Sequence, residues 1–357
     1  MDMTRTPSLD HVPLPWQQTA LEGLAARLAS DQLPHGLLLT GQPGLGKELF
    51  AAAFARLALC KSPSKGRACG SCSSCAQFAA GTHPDFSLVS FEEREGKAGE
   101  EGGLKSAISV EQIRELIAAL QLRSHSAGGR KLAIIQPAEG MSIAAANSLL
   151  KTLEEPPVDT YILLVSAAPG RLPATVRSRC QVMPLPVPPA NQTVAWLTER
   201  SSRSDWNLLL GLAGGAPLAA LELAASGLPA RRQALFASLA ALRAGRENPL
   251  KLAARPKDEY PELLRLLWSF TADLILLKTA GTASPLVNRD QLPLLQKAAE
   301  GINLRSLHAY LDRIQDAIQA LDSPANRELA FAVLLADWAA GLDEIRNSPL
   351  AARTAWG

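Results

Sequence analysis

A chain of 357 residues with 47% hydrophobic and 20% charged residues can bury substantial cores, which excludes a compositionally disordered protein. Its 36 Lys and Arg against 34 Asp and Glu leave a net charge of only +2, so no whole-molecule field argues for autonomous binding to nucleic acid. Residues 1–15 hold no apolar core of signal-peptide length. The least charged run, Leu208–Leu221, is broken by Gly214, Gly215 and Pro217 short of the ~20 apolar residues a membrane span needs, so a cytoplasmic location is expected.

Taken in chain order, Trp16–Ala29 reads as an amphipathic helix and His35–Thr40 as a short buried strand. A Gly-rich turn follows, and Lys47–Leu59 is predicted helical. Phe86–Ser90 is a candidate strand, and the Glu-, Lys- and Gly-rich run Glu92–Lys105 a loop. Ile113, Leu116, Ile117 and Leu120 give Val110–Leu122 helical spacing. Leu132–Ile135, Tyr161–Val165 and Gln181–Leu185 are further strands, and Ser142 is a plausible cap for a helix to Leu153. Strands alternating with helices imply a mostly parallel α/β sheet covered on both faces. After Pro186-Val187-Pro188-Pro189 the pattern turns almost wholly helical, with a linker expected near Gly245–Pro256. Three domains are expected: 1–187, a small helical domain over 188–245, and an all-helical domain over 246–357.

Gly41-Gln42-Pro43-Gly44-Leu45-Gly46-Lys47 follows a predicted strand and opens a predicted helix, the context of a phosphate-binding loop. Glycines let the backbone N–H groups face an anion; the helix N-terminus and Lys47 add positive charge. The next position should offer a hydroxyl to Mg²⁺ but is Glu48, whose carboxylate would repel phosphates. A hydrolytic site also needs an acidic residue at the end of a later strand. The candidate, Leu132–Ile135, runs instead into Gln136-Pro137, and Glu139 comes two residues too late. Two defects in Gly41, Gly44, Gly46, Lys47 and Glu48 and their surroundings argue against hydrolysis by this chain.

Cys60, Cys69, Cys72 and Cys75 have the spacing C-x8-C-x2-C-x2-C within a module over about 60–75 that is rich in Gly and Ser. Four soft ligands suit tetrahedral Zn²⁺ and leave no open position for catalysis, so the expected role is structural. Disulfides and an iron–sulfur cluster are the alternatives. Cys180 reads as a small core residue.

These segments, in this order, resemble the bacterial clamp-loader AAA+ family. The match includes Leu33-Pro34-His35-Gly36 leading into the Gly loop, the four-cysteine insert and His83-Pro84-Asp85-Phe86. It continues through Asn147–Pro157 to Arg177-Ser178-Arg179-Cys180. It covers the first half of the chain closely and the helical half loosely. It implies an AAA+ P-loop domain with a zinc insert, a small helical lid and an all-helical collar. Glu48 and Gln136-Pro137 place the chain with the branch whose nucleotide site has decayed rather than with the motor branch. The missing arginine in Gly214-Gly215-Ala216-Pro217 points the same way.

The resemblance further implies that Arg179 is an arginine finger acting in trans on ATP held by a neighbouring motor subunit. Locally, it reads only as a surface arginine capping a helix. Implied partners are the gamma/tau motor subunits and the clamp-opening delta subunit in a hetero-oligomeric ring, with the sliding clamp and primed DNA reached through the complex. Rival readings are an active gamma/tau-like ATPase and a zinc-dependent nucleic-acid binding module; few basic or aromatic residues beside the cysteines count against the latter.

Overall fold

The computed structural model describes residues 13–92, 107–125, 129–322 and 326–342. The chain divides into two compact units, Met1–Ala195 with Ala216–Ala219, and Trp196–Gly215 with Ala220–Gly357. The loop expected over Glu92–Lys105 lies, from residue 93 on, outside the described residues.

The first unit is a three-layer α/β structure. In chain order come α1 (Gln18–Ala29), β1 (Gly36–Thr40), α2 (Lys47–Leu59), α3 (Ser73–Ala79), β2 (Phe86–Val89) and α4 (Val110–Gln121). Then follow β3 (Lys131–Ile135), α5 (Ile143–Glu154), β4 (Thr160–Ser166), α6 (Ala174–Arg177) and β5 (Gln181–Pro184). Five parallel strands stand in the order β2-β3-β4-β1-β5. In the register, Gly36 faces Ile162 and Thr40 faces Ser166. Because side chains alternate, Leu37 and Leu39 of β1 join one core with Phe50 and Phe54 of α2, while Leu38 joins another with Leu116 of α4 and Leu149 of α5. Strands apolar on both faces are what a sheet covered by helices on each side requires.

Local chemistry sets the helix starts. Ser142 Oγ accepts the Ala145 N–H at 3.1 Å. Ser109 and Gln112 form a reciprocal box, in which the Gln112 N–H donates to Ser109 Oγ at 3.3 Å and the Ser109 N–H to Gln112 Oε1 at 2.9 Å. Each such cap is worth ~1 kcal/mol.

The rest of the chain is helical: α7 (Ala190–Arg200), α8 (Trp206–Leu212), α9 (Pro217–Ala225), α10 (Leu228–Arg243), α11 (Pro249–Ala253), α12 (Tyr260–Ala280), α13 (Leu292–Ala299), α14 (Leu304–Gln319) and α15 (Arg327–Ala339). The segment read as a linker is therefore not structureless. Asn248 Oδ1 accepts the Leu250 N–H at 2.8 Å and Pro249 opens the short α11, which packs on α15. In the second unit, Phe236, Phe270 and Trp338 pack ring against ring at 4.8 and 5.6 Å. Trp338 Nε1 donates to the Leu239 carbonyl at 2.9 Å. Among the described residues no single helix is long and apolar enough to cross a membrane.

A buried polar knot also holds this unit. Asp273, 1% exposed, accepts the N–H groups of Val287 (3.0 Å) and Asn288 (2.6 Å) and the Asn288 side-chain amide (2.8 Å). Asn288 Oδ1 in turn accepts from Arg232 Nε at 2.9 Å. Removing the carboxylate leaves buried donors unpaired, at ~3–5 kcal/mol. Asp273→Ala is expected to lower the thermal midpoint of the second unit by about 10 °C, read by circular dichroism, with Asp273→Asn losing less.

Candidate functional site

The Gly-rich loop leaves the C-terminal end of β1, where parallel α/β sheets place ligands. Gly44 and Gly46 hold φ of +78° and +79°, a region that favours glycine. Close neighbours reinforce the requirement. A β-carbon on Gly44 would stand 2.6 Å from Ala219, and one on Gly46 2.7 Å from Leu14.

Several bonds lace this loop into the unit. Gln17 Nε2 donates to the carbonyls of Leu45 (3.1 Å) and Gly46 (3.0 Å). The Leu218 N–H donates to the Gly44 carbonyl at 2.9 Å. Lys47 is 1% exposed and its ammonium donates back to the Gln42 carbonyl at 2.9 Å. Burial lowers the Lys47 pKa, while the Glu48 and Glu139 carboxylates push it the other way. Glu48 sits half-buried in the first turn of α2.

β3 ends at Ile135, and Gln136 follows it as expected. Glu139 nevertheless comes near the site. Its Oε1 accepts the N–H groups of Ala167 (2.9 Å) and Ala168 (3.1 Å), just past β4. Glu139 Oε2 and Ser166 Oγ are buried, with no hydrogen-bond partner among the described residues. Sequence spacing did not reveal this use of Glu139, because the two N–H groups lie 28 and 29 residues away.

The four cysteines converge. Cys60 ends α2, Cys69 stands in the following loop, Cys72 caps α3 and Cys75 lies on it. All four Sγ atoms lie within 4.8 Å of one another, and the pairs Cys60–Cys72 and Cys69–Cys75 stand at 4.0 Å. A disulfide needs ~2.05 Å, whereas sulfurs ~2.3 Å from a central tetrahedral ion stand ~3.8 Å apart. Backbone N–H groups of Cys69, Cys72 and Cys75 donate to the Sγ atoms of Cys60, Cys69 and Cys72 at 3.2, 3.4 and 3.4 Å. Such donors favour thiolates. The Ser71 and Cys72 N–H groups, with the Cys60 side chain, hold Cys69 down to about 6; burial pushes Cys75 up to about 12. The geometry and donor set fit a tetrahedral thiophilic ion. Cys180 lies outside this cluster, packed against the core with its thiol raised to about 11 by burial.

The helical form of Ser73–Ala79 was not legible, because Ser and Cys suggest turns there. It is anchored by Phe78, 1% exposed and 4.6 Å from the Phe86 ring. Ser74 Oγ adds a bond to the Leu59 carbonyl at 2.6 Å and another with His83 Nε2 at 2.9 Å.

Arg179 stands elsewhere. A β-carbon on Gly36, at the start of β1, would meet the Arg179 carbonyl at 3.1 Å. The Gly-rich loop leaves the other end of that strand, ~13 Å away at ~3.3 Å per residue. The guanidinium is part-exposed and bonded to Glu154, the last residue of α5. The structure thus brings Gly41, Gly44, Gly46, Lys47 and Glu48 together, gathers the cysteines in a second cluster, and sets Arg179 apart from both.

A family profile described as "DNA polymerase III, delta subunit" matches residues 16–189, and "DNA polymerase III, delta subunit, C terminal" matches residues 227–340. The Pseudomonas aeruginosa "DNA polymerase III subunit delta'" is 38% identical over 221 residues, 61% of this chain and 63% of that protein. The Escherichia coli protein of the same name is 34% identical over 325 residues, 90% of this chain and 93% of that one. Among solved structures, a gamma subunit-related protein of DNA polymerase III from Thermotoga maritima covers 90% of this chain and 99% of its own, at 17% identity and a TM-score of 0.38. Both profiles and the 34% identity over nine tenths of the chain agree: the chain belongs to the DNA polymerase III delta' subunit family.

Proposed function

We propose that this chain is a non-hydrolysing member of a clamp-loader ring, lending Arg179 to ATP bound on a neighbouring motor subunit. The observation that carries the reading is the separation within one unit. The phosphate loop, with Glu48 in place of the Mg²⁺-binding hydroxyl, and Arg179 sit at opposite ends of β1. An arginine rooted at the end of β1 remote from its own loop suits a phosphate held on another chain. Lys47 bonds its own loop, and Leu218 and Gln17 close on the loop carbonyls, which supports a pocket kept for its fold rather than its turnover.

Membership of the family supports the partners of this reading. Gamma/tau motor subunits and a delta subunit complete the ring, and the sliding clamp and primed DNA are reached through it. Leu329 and Val333, one turn apart on α15, and Trp268 on α12 are exposed apolar side chains; neighbouring helices of the ring would cover them. The four cysteines would hold a structural Zn²⁺, whose chemistry is to tie α2 to α3 with no open position for substrate.

One observation favours a second reading, an active gamma/tau-like ATPase. A bound Mg²⁺–nucleotide would satisfy the orphaned Glu139 Oε2 and Ser166 Oγ. Equilibrium binding of a fluorescent ATP analogue, with and without Mg²⁺, separates the two. The proposed reading expects no Mg²⁺-dependent binding; Mg²⁺-dependent binding lost in Glu139→Gln would favour the ATPase.

A further inference from the structure

We infer that Glu154 is a positioning residue for Arg179, holding its guanidinium ready for the neighbouring subunit's phosphate; this rests on the finger reading above. Glu154 Oε1 accepts Arg179 Nε–H at 2.6 Å and a second N–H from Nη2. Arg179 Nη1 donates to the Thr175 carbonyl at 2.8 Å and to Ser178 Oγ at 3.4 Å. One carboxylate oxygen, one backbone carbonyl and one hydroxyl thus fix both the plane of the guanidinium and its rotation in that plane. Backbone contacts fix its root: the Arg179 N–H donates to the Val176 carbonyl at 3.2 Å, and its own carbonyl lies against Gly36.

Helix stability does not explain a carboxylate at this place. Glu154 is the last residue of α5, where exposed carbonyls repel negative charge. The arrangement makes sense for the arginine instead. A free arginine samples many rotamers, and ordering it at the moment of reaction subtracts from what it contributes. Both side chains remain partly exposed, 32% for Arg179 and 48% for Glu154, so an incoming triphosphate can reach the guanidinium and compete with Glu154 for its N–H groups.

The test uses the complete reconstituted loader with clamp and primed DNA, measuring kcat and KM for ATP at the site abutting this chain. The variants are Glu154→Ala, Glu154→Gln, Arg179→Ala and the Glu154→Ala, Arg179→Ala double variant. Glu154→Ala is expected to lower kcat by on the order of 10- to 100-fold with KM unchanged, the scale of a misplaced catalytic group. Glu154→Gln keeps an acceptor oxygen and should recover much of the loss. The double variant should match Arg179→Ala alone. Wild-type kcat in Glu154→Ala, while Arg179→Ala is impaired, overturns the inference and leaves the finger reading standing. Losses that add in the double variant also overturn it, because Glu154 would then act on its own. A silent Arg179→Ala removes the finger reading itself. Should Glu154→Ala fail to assemble, Glu154→Met, similar in length but without an acceptor oxygen, carries the test: a lowered kcat supports the positioning claim and wild-type kcat overturns it.

Discussion

Arg179→Ala in the assembled loader is expected to slow ATP hydrolysis at the abutting motor site by ~10³–10⁵, the worth of an arginine finger supplied in trans. The effect would be large because the transferring phosphoryl group spreads charge over its oxygens, and in the proposed role a planar guanidinium would meet that charge in a site that excludes water. ATP binding at that site should change far less, since the added charge matters most as the bond breaks. Arg179→Lys should recover little, because an ammonium cannot reproduce the two-edged geometry. Assembly should be unaffected. The side chain is part-exposed and its bonds run to Glu154, Thr175 and Ser178 of its own unit. Rapid-quench measurement of the first turnover isolates the abutting site. An unchanged first turnover would remove Arg179 from this role.

Metal removal should have the second largest effect, and a local one. Zinc bound by cysteine-rich peptides contributes ~10–16 kcal/mol to their folding. Here the four sulfurs close the loop between α2 and α3, and outside the thiols that loop has few anchors. Among the described contacts are the Ser64–Arg67 bridge, Lys61 Nζ to Ser73 Oγ at 3.0 Å, and Arg67 Nε to Gln18 Oε1 at 3.0 Å. Stripping the ion should therefore free residues 61–71, leaving α3 docked through Phe78 and the Ser74–His83 bond. Exposed Lys61, Lys65 and Arg67 provide the readout. Trypsin should cut there rapidly after chelation and slowly before it, while the bulk of the chain stays folded. Cys72→Ser should behave as the chelated protein does. Identical digestion with and without chelator would contradict a structural ion.

Features encoded over a few neighbouring residues were legible in the sequence. The run His35–Thr40 into a Gly-rich turn and then Lys47–Leu59 specifies strand, loop and helix by local apolar content and backbone freedom; β1 starts one residue later, at Gly36, and α2 has the expected bounds. The cysteines declared themselves by spacing alone. Contacts that join distant segments were not legible. Glu139 turned onto Ala167 and Ala168, Leu218 closed on Gly44, and Glu154 paired with Arg179 from 25 residues away. None leaves a periodic or compositional trace. The short α11 was an intermediate case. Its signal, Asn248 followed by Pro249 and then Leu250 and Leu252, was present but was outweighed by the surrounding Gly and charge.

Phosphate release by the purified chain, alone with Mg²⁺–ATP, is the most direct measure of the central claim. With Glu48 beside the buried Lys47 and no carboxylate closing β3, release should stay at the solvent background and be indifferent to Lys47→Ala. Sustained release that Lys47→Ala abolishes would contradict it, and the chain would then be a motor in its own right.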